Sequence, residues 1–203
     1  MTAAGEASAA VPTVVCDSDV MFDPFRRYLL LSLVVARVLT IRWSDALLDE
    51  WTGVIVREGR TTPGQAARQR QKLAADFPEA QVVPDLAHLV VGRRLARDPG
   101  DAHVAACALA AAPCVLLTYD LGGFDRPGLR PEGVDVRKPG PWLAEAFGAA
   151  PPEVRRDWLA GLQAHRESMS RPPYGLDGYL DLAAARQLAA FAHAVRAALS
   201  APR

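Results

Sequence analysis

Cysteine is scarce in this chain. The three present, Cys16, Cys107 and Cys114, sit among apolar neighbours and show neither a Cys-x-x-Cys nor a Cys/His spacing. An odd count without ligand spacing argues against a disulfide framework and a zinc site, and predicts buried, reduced thiols. An excess of one charge is missing too: Lys+Arg and Asp+Glu each number 23, for a formal net charge of +0. This balance excludes a globally basic nucleic-acid binder, but not an enzyme with a local basic face. Long apolar runs are also lacking. The longest, Tyr28 to Ala36, is about half of the ~20 residues a membrane span needs. No basic segment followed by an apolar one opens the chain, so no signal peptide is expected. The expected setting is cytoplasmic, with no membrane partner. What is present is a core. Of 203 residues, 50% are hydrophobic and 23% charged, too apolar for a disordered chain and enough for one domain with an appendage.

Continuously apolar runs alternate with helical patterns. Thr13–Asp17, Val38–Arg42, Gln81–Pro84, Cys114–Thr118 and Val134–Val136 read as strands. Between them, helices are predicted from Asp23-Pro24 to Arg37, from Asp45 (capped by Ser44) to Glu58, from Thr62-Pro63 to before Pro78, over Leu86–Leu95, and from Asp98-Pro99 to Ala112. Apolar strands alternating with helices predict a central parallel sheet covered on both faces, a three-layer α/β/α sandwich. After Pro151-Pro152 the pattern turns helical, with Glu153–Ser170 and Leu176–Ser200 split by Arg171-Pro-Pro-Tyr-Gly175. The organisation expected is a loose tail over 1–11, an α/β domain over 12–150 and a helical extension over 151–203.

Four acids stand out by position. Asp17 ends the first strand, and Asp120 follows the strand that closes at Thr118, where open parallel sheets bind ligands. Asp101 lies in the first turn of the helix before that strand. Glu50 sits on a helix among Leu47, Leu48 and Trp51. If they converge, each pair of ionised carboxylates about 4 Å apart repels by roughly 4 kcal/mol at an effective dielectric of ~20. A divalent cation would offset this, and oxygen ligands favour Mg²⁺ or Mn²⁺. Each acid also has a purely structural reading: strand end (Asp17), solvated surface (Glu50), helix capping (Asp98, Asp101), turn initiation (Asp120). Asp19, two residues beyond Asp17, is a secondary ligand or a turn residue.

With these residues in order, the chain resembles the PIN-domain proteins, and among them the VapC-type toxin ribonucleases. Val14-Val-Cys-Asp17-Ser-Asp-Val-Met-Phe22 resembles the opening strand, and Trp43-Ser-Asp-Ala-Leu-Leu-Asp-Glu50-Trp the second acidic motif. Asp98-Pro-Gly-Asp101-Ala-His and Val115-Leu-Leu-Thr118-Tyr-Asp120-Leu-Gly-Gly-Phe124 resemble the third and fourth. The likeness covers about 13–142, and the helical C-terminus resembles a longer bacterial subgroup. It implies a PIN-like sandwich and metal-dependent hydrolysis of RNA. Asp17, Glu50, Asp101 and Asp120 would hold Mg²⁺ or Mn²⁺, with Ser18, Asp19, Asp98 and Thr118 in support. It also implies an antitoxin and a second copy of the chain as partners. Three positions depart from the pattern, the first being Asp19, where Asn is common. Asp120 stands where the subgroup usually has Asn, and Gly123 where it usually has Asp, which leaves Asp120 and Asp125 both open as the fourth acid.

Basic residues near these motifs are candidate phosphate contacts or solvated helix faces: Arg57, Arg60, Arg68, Arg70 and Lys72, then Arg93, Arg94 and Arg97. The histidines, His103 included, read as helix-face, solvent or packing residues. Two other readings stand beside the nuclease. One is a haloacid-dehalogenase-type phosphatase with Asp17 as nucleophile, although Lys138 then falls in the wrong order. The other is a non-catalytic α/β binding module whose acids are caps.

Overall fold

The computed structural model describes residues 11–169 and 173–200. The tail read over 1–11 lies outside these residues except for Val11, as do Ser170, Arg171 and Pro172 of the expected break. Four strands form one sheet: β1 (Thr13–Cys16), β2 (Thr40–Arg42), β3 (Cys114–Leu117) and β4 (Val134–Arg137). Their order is β2-β1-β3-β4 and every pairing is parallel. Parallel neighbours need crossovers, and the helices supply them. The first is α1 (Ser18–Phe22) with α2 (Pro24–Val35). The second comprises α3 (Asp45–Arg57), α4 (Pro63–Asp76), α5 (Leu86–Leu95) and α6 (Ala102–Ala110), and the third includes α7 (Arg126–Leu129). The remaining helices are α8 (Pro139–Ala149), α9 (Pro152–Met169), α10 (Leu176–Ala183) and α11 (Ala189–Ser200). The result is the expected α/β/α sandwich. Val14, Val15, Leu116 and Leu117 are fully buried at its centre, and all three thiols are buried and free.

Local chemistry accounts for most element starts. Asp23 accepts from the Arg26 N–H at 3.1 Å and caps α2. Thr62 and Gln65 form a capping box at α4, and Asp85 with His88 does so at α5. Three expectations are corrected. Gln81–Pro84 is not a strand but a single parallel bridge between Trp43 and Gln81, because Pro84 has no N–H with which to extend a ladder. The helix starting at Asp98 opens as a 3₁₀ turn, Pro99–Asp101, before α6. The helix expected over 176–200 is interrupted at Ala184–Leu188, where Gln187 adopts φ 67°. There the Arg186 carbonyl accepts from Arg26 Nη1 at 3.3 Å, and the Arg186 guanidinium reaches Asp23 at 2.8 Å. The helix interrupts its own ladder to make these two contacts. Two elements leave little trace in the sequence. In α8, Pro139 and Pro141 obscure the pattern although the first turn tolerates proline, and α1 is only five residues long.

The C-terminal helices share the core. Trp158 and Phe191 pack against each other and against Phe147 of α8, with ring centroids 6.0–6.1 Å apart. His165 is buried, meets Tyr179 Oη at 2.8 Å through Nδ1, and packs edge-on to Phe25 of α2. Burial pushes its pKa down to about 4, so the ring is neutral at physiological pH.

The carrier of Asp101 is set by a close approach. A Cβ at Gly92 of α5 would lie 2.7 Å from Ala106 N and 2.8 Å from Ala102 O, both backbone atoms of α6. Ala normally gains on Gly inside a helix. Here Gly92→Ala is expected to cost about 2–3 kcal/mol through overpacking, and to lower the unfolding midpoint by roughly 5–10 °C. Urea and thermal denaturation check this; an unchanged or raised midpoint would refute the close packing.

Candidate functional site

The sheet order reverses between β1 and β3, and the carboxyl ends of strands at such a switch point are where open parallel sheets bind ligands. Asp17 and Asp120 lie there. The Asp17 N–H bonds Leu117 O at 2.9 Å, which prolongs the β1–β3 pairing by one residue. Its carboxylate accepts from the Ser18 N–H at 2.6 Å and from the buried Thr118 hydroxyl at 2.9 Å. Asp17 is nevertheless only 6% exposed. Its pKa is raised to about 7, first by burial, then by the Asp19 charge and, more weakly, by Asp101. Asp19 accepts from the Tyr119 N–H at 2.8 Å through Oδ2, while its buried Oδ1 has no partner among the described residues. Its pKa is also raised by burial, against the pull of that N–H and the Arg26 charge. An unpartnered buried carboxylate oxygen is costly unless something supplies a positive contact.

On the other side, Asp120 is tied down by its loop. Its N–H reaches Thr118 Oγ1 at 3.0 Å, and its Oδ1 accepts from the N–H groups of Gly122 (2.9 Å) and Gly123 (3.2 Å). Asp101 precedes α6, and its side chain makes no cap bond. Its pKa rises to about 6, through burial and then through the charges of Asp98, Asp120 and Glu50. A Cβ on Gly123 would collide with Asp101 Oδ2 and press on Asp120 Oδ2 at 3.2 Å. Only a residue without a side chain lets both carboxylates turn to this spot. Asp125, the alternative fourth acid, instead has Oδ1 4.0 Å from Arg97 and packs by Gly128.

Glu50 is engaged by His103, which the sequence presents as a plain helix-face residue. His103 Nε2 lies 3.1 Å from Glu50 Oε2, and its Nδ1 lies 2.9 Å from Gly100 O. The Glu50 contact is the main reason the His103 pKa is raised, with Asp17 adding to it. The one sequence signal for His103 is its place two residues after Asp101. Asp98 caps the 3₁₀ turn, accepting from the Gly100 N–H at 2.8 Å. Of the basic candidates, Arg70 pairs with Asp45 and Asp49, Lys72 with Asp76, and Arg60 stacks over Phe22. Arg57, Arg68, Arg93 and Arg94 are exposed.

Asp101 thus feels the charges of Asp120 and Glu50, and Asp17 that of Asp101. Among the described residues, however, no three His, Cys, Asp or Glu side chains are gathered closely enough to hold a metal ion. The donor set itself, all carboxylate oxygens, is the kind that hard divalent cations take.

The raised pKa values set a pH dependence. Between about pH 4 and 7 the folded chain keeps protons on Asp17 and Asp101 that the unfolded chain has released. Their contribution to stability is therefore present at low pH and lost as pH rises through that window. In chelator, Asp17→Asn is expected to flatten the fall in unfolding midpoint between pH 5 and 8. At pH 8 the midpoint should rise by roughly 3–8 °C. Parallel pH profiles for the two proteins would rule out carboxylate crowding at Asp17.

The chain matches no protein-family model, no curated protein and no solved structure. Its chemistry rests on the residues themselves.

Proposed function

We propose that this chain is a metal-dependent ribonuclease of the PIN-domain, VapC-like kind, which cleaves RNA phosphodiesters with an activated water. The observation that carries the reading is geometric: the Asp101 and Asp120 carboxylates meet over Gly123, and the Thr118 hydroxyl joins Asp17 to the Asp120 backbone. Crowded acids at a topological switch point form an anionic pocket suited to a cation. Asp17, Asp101 and Asp120 would hold Mg²⁺ or Mn²⁺, with Glu50 alongside. When bound in such a site, the ion polarises a phosphate oxygen and lowers the pKa of water.

The remaining roles belong to the chain's own side chains. Thr118 donates to Asp17 and accepts from the Asp120 N–H, so one hydroxyl orients two of the acids. Asp19, fixed by the Tyr119 N–H, keeps one oxygen without a partner among the described residues. His103 Nε2 meets the Glu50 carboxylate and holds it in place. A toxin role, a cognate antitoxin and a homodimer rest on the sequence resemblance. Among the described residues no helix is long and apolar enough to cross a membrane.

One observation favours a second reading, a non-catalytic module. Asp17, Asp98 and Asp120 all accept nearby backbone N–H bonds, as plain caps and turns do.

A labelled single-stranded RNA incubated with Mn²⁺ separates the two. Cleavage is expected in Mn²⁺, none in chelator, and background only for Asp17→Asn and Asp101→Asn. Thr118→Val should lose about 10- to 100-fold, as for groups that orient ligands. Asp120→Asn should lose activity where Asp125→Asn keeps it. No Mn²⁺-dependent cleavage by the parent, or full activity in Asp17→Asn, would count for the module instead.

A further inference from the structure

We infer that an arginine-lined groove beside the acids holds the sugar–phosphate backbone of single-stranded RNA; this rests on the nuclease reading above. The groove, of about 620 Å³, lies between the segment after Asp120 and the edge strand β4. Arg97, Arg126 and Arg130 line it, with Leu121, Phe124 and one carboxylate, Asp135. That carboxylate is already engaged by Arg137 at 3.3 Å. The nearest acid to Arg97 is Asp125 at 4.0 Å, and the Arg97 side chain is 63% exposed. Arg126 and Arg130 are exposed and show no carboxylate partner among the described residues. Three guanidinium groups with so little counter-charge form a site for a polyanion, and their forked donors match phosphate oxygens.

The segments that line the groove are the ones that lead to Asp98 and Asp120. The N–H groups of Arg97 and Asp98 both point at Gly123 O, at 2.7 and 3.4 Å, and Ala96 bridges to Phe124. Leu121 follows Asp120 directly. A strand lying across the arginines would therefore run past Asp98 and Asp120 toward Asp101. The basic stretch on α4 is a weaker candidate, since Arg70 and Lys72 are spent on local carboxylates. Phe124 is 1% exposed and offers no face for stacking, so the groove grips backbone rather than reading bases.

The test uses the full chain in an Asp17→Asn background with Mg²⁺, so that binding is read without cleavage. Fluorescence polarisation of a labelled single-stranded RNA oligonucleotide is followed against salt. Adding R97A, R126A and R130A together should weaken binding on the order of tenfold to a hundredfold at 0.1 M salt. It should also reduce the slope of log affinity against log salt by about 2, because each phosphate left without its arginine takes ~0.7 from the slope. R126A alone should reduce the slope by about 0.7, while R196A, whose guanidinium pairs with Asp181 on the C-terminal helices, leaves it unchanged. Far-UV circular dichroism melts confirm that the variants fold. If the triple variant keeps its affinity and slope while the parent cleaves RNA in Mn²⁺, the groove is wrong and the nuclease reading stands. If the parent neither binds nor cleaves RNA, both are overturned.

Discussion

The pairing of β1 with β3 is the constraint on which the rest depends. Val14 lies against Val115, Val15 against Leu116 and Cys16 against Leu117, and the Asp17 N–H extends the ladder to Leu117 O. With the two strands in this register, Asp17 and Thr118 emerge side by side, and their side chains meet at 2.9 Å. A slip of one residue would turn both side chains to the opposite faces. Val14, Val15, Leu116 and Leu117 are fully buried behind this edge and anchor both strands. The polar edge is thus fixed by apolar packing behind it.

Burial then governs the electrostatics of that edge. Asp17 is surrounded closely enough that its charge is poorly solvated, and Asp19 stands two residues away with one oxygen unpartnered among the described residues. The hydrogen bonds from Thr118, Ser18 and Tyr119 fix where the carboxylates point without neutralising them. Arg26 reaches this network from behind: it donates to Asp19 O at 2.9 Å and to Arg186 O, and lies over the Tyr119 ring. Through Arg186, the helical C-terminus touches the support of the acid edge. The interrupted turn at Ala184–Leu188 therefore links the extension to the sheet's working end.

Much of this is legible in the chain. The strands at 13–16 and 114–117 are continuous apolar runs, and a buried parallel sheet demands such runs. Asp17 and Asp120 draw notice because they follow the two central strands, and Asp101 because it opens the helix that leads into the second of them. What is hidden depends on distant neighbours. His103 looks like any helix-face histidine until Glu50, 53 residues earlier, comes within 3.1 Å. The basic stretch on α4 looks available because sequence gives no sign that Asp45 and Asp49 claim Arg70. The break at Gln187 is equally silent, since a positive φ at glutamine leaves no compositional trace.

Gly123 has a wider implication. The side-chain volume missing there is filled by the Asp101 carboxylate, with Asp120 held beside it by the glycine's own N–H. Positions 101, 120 and 123 thus share one space and cannot vary independently. An acid can be added at 123 only if one is withdrawn from 101 or 120, so carboxylates can be redistributed among the three without raising their number. A glycine at 123 is what lets the two carboxylates occupy that volume together.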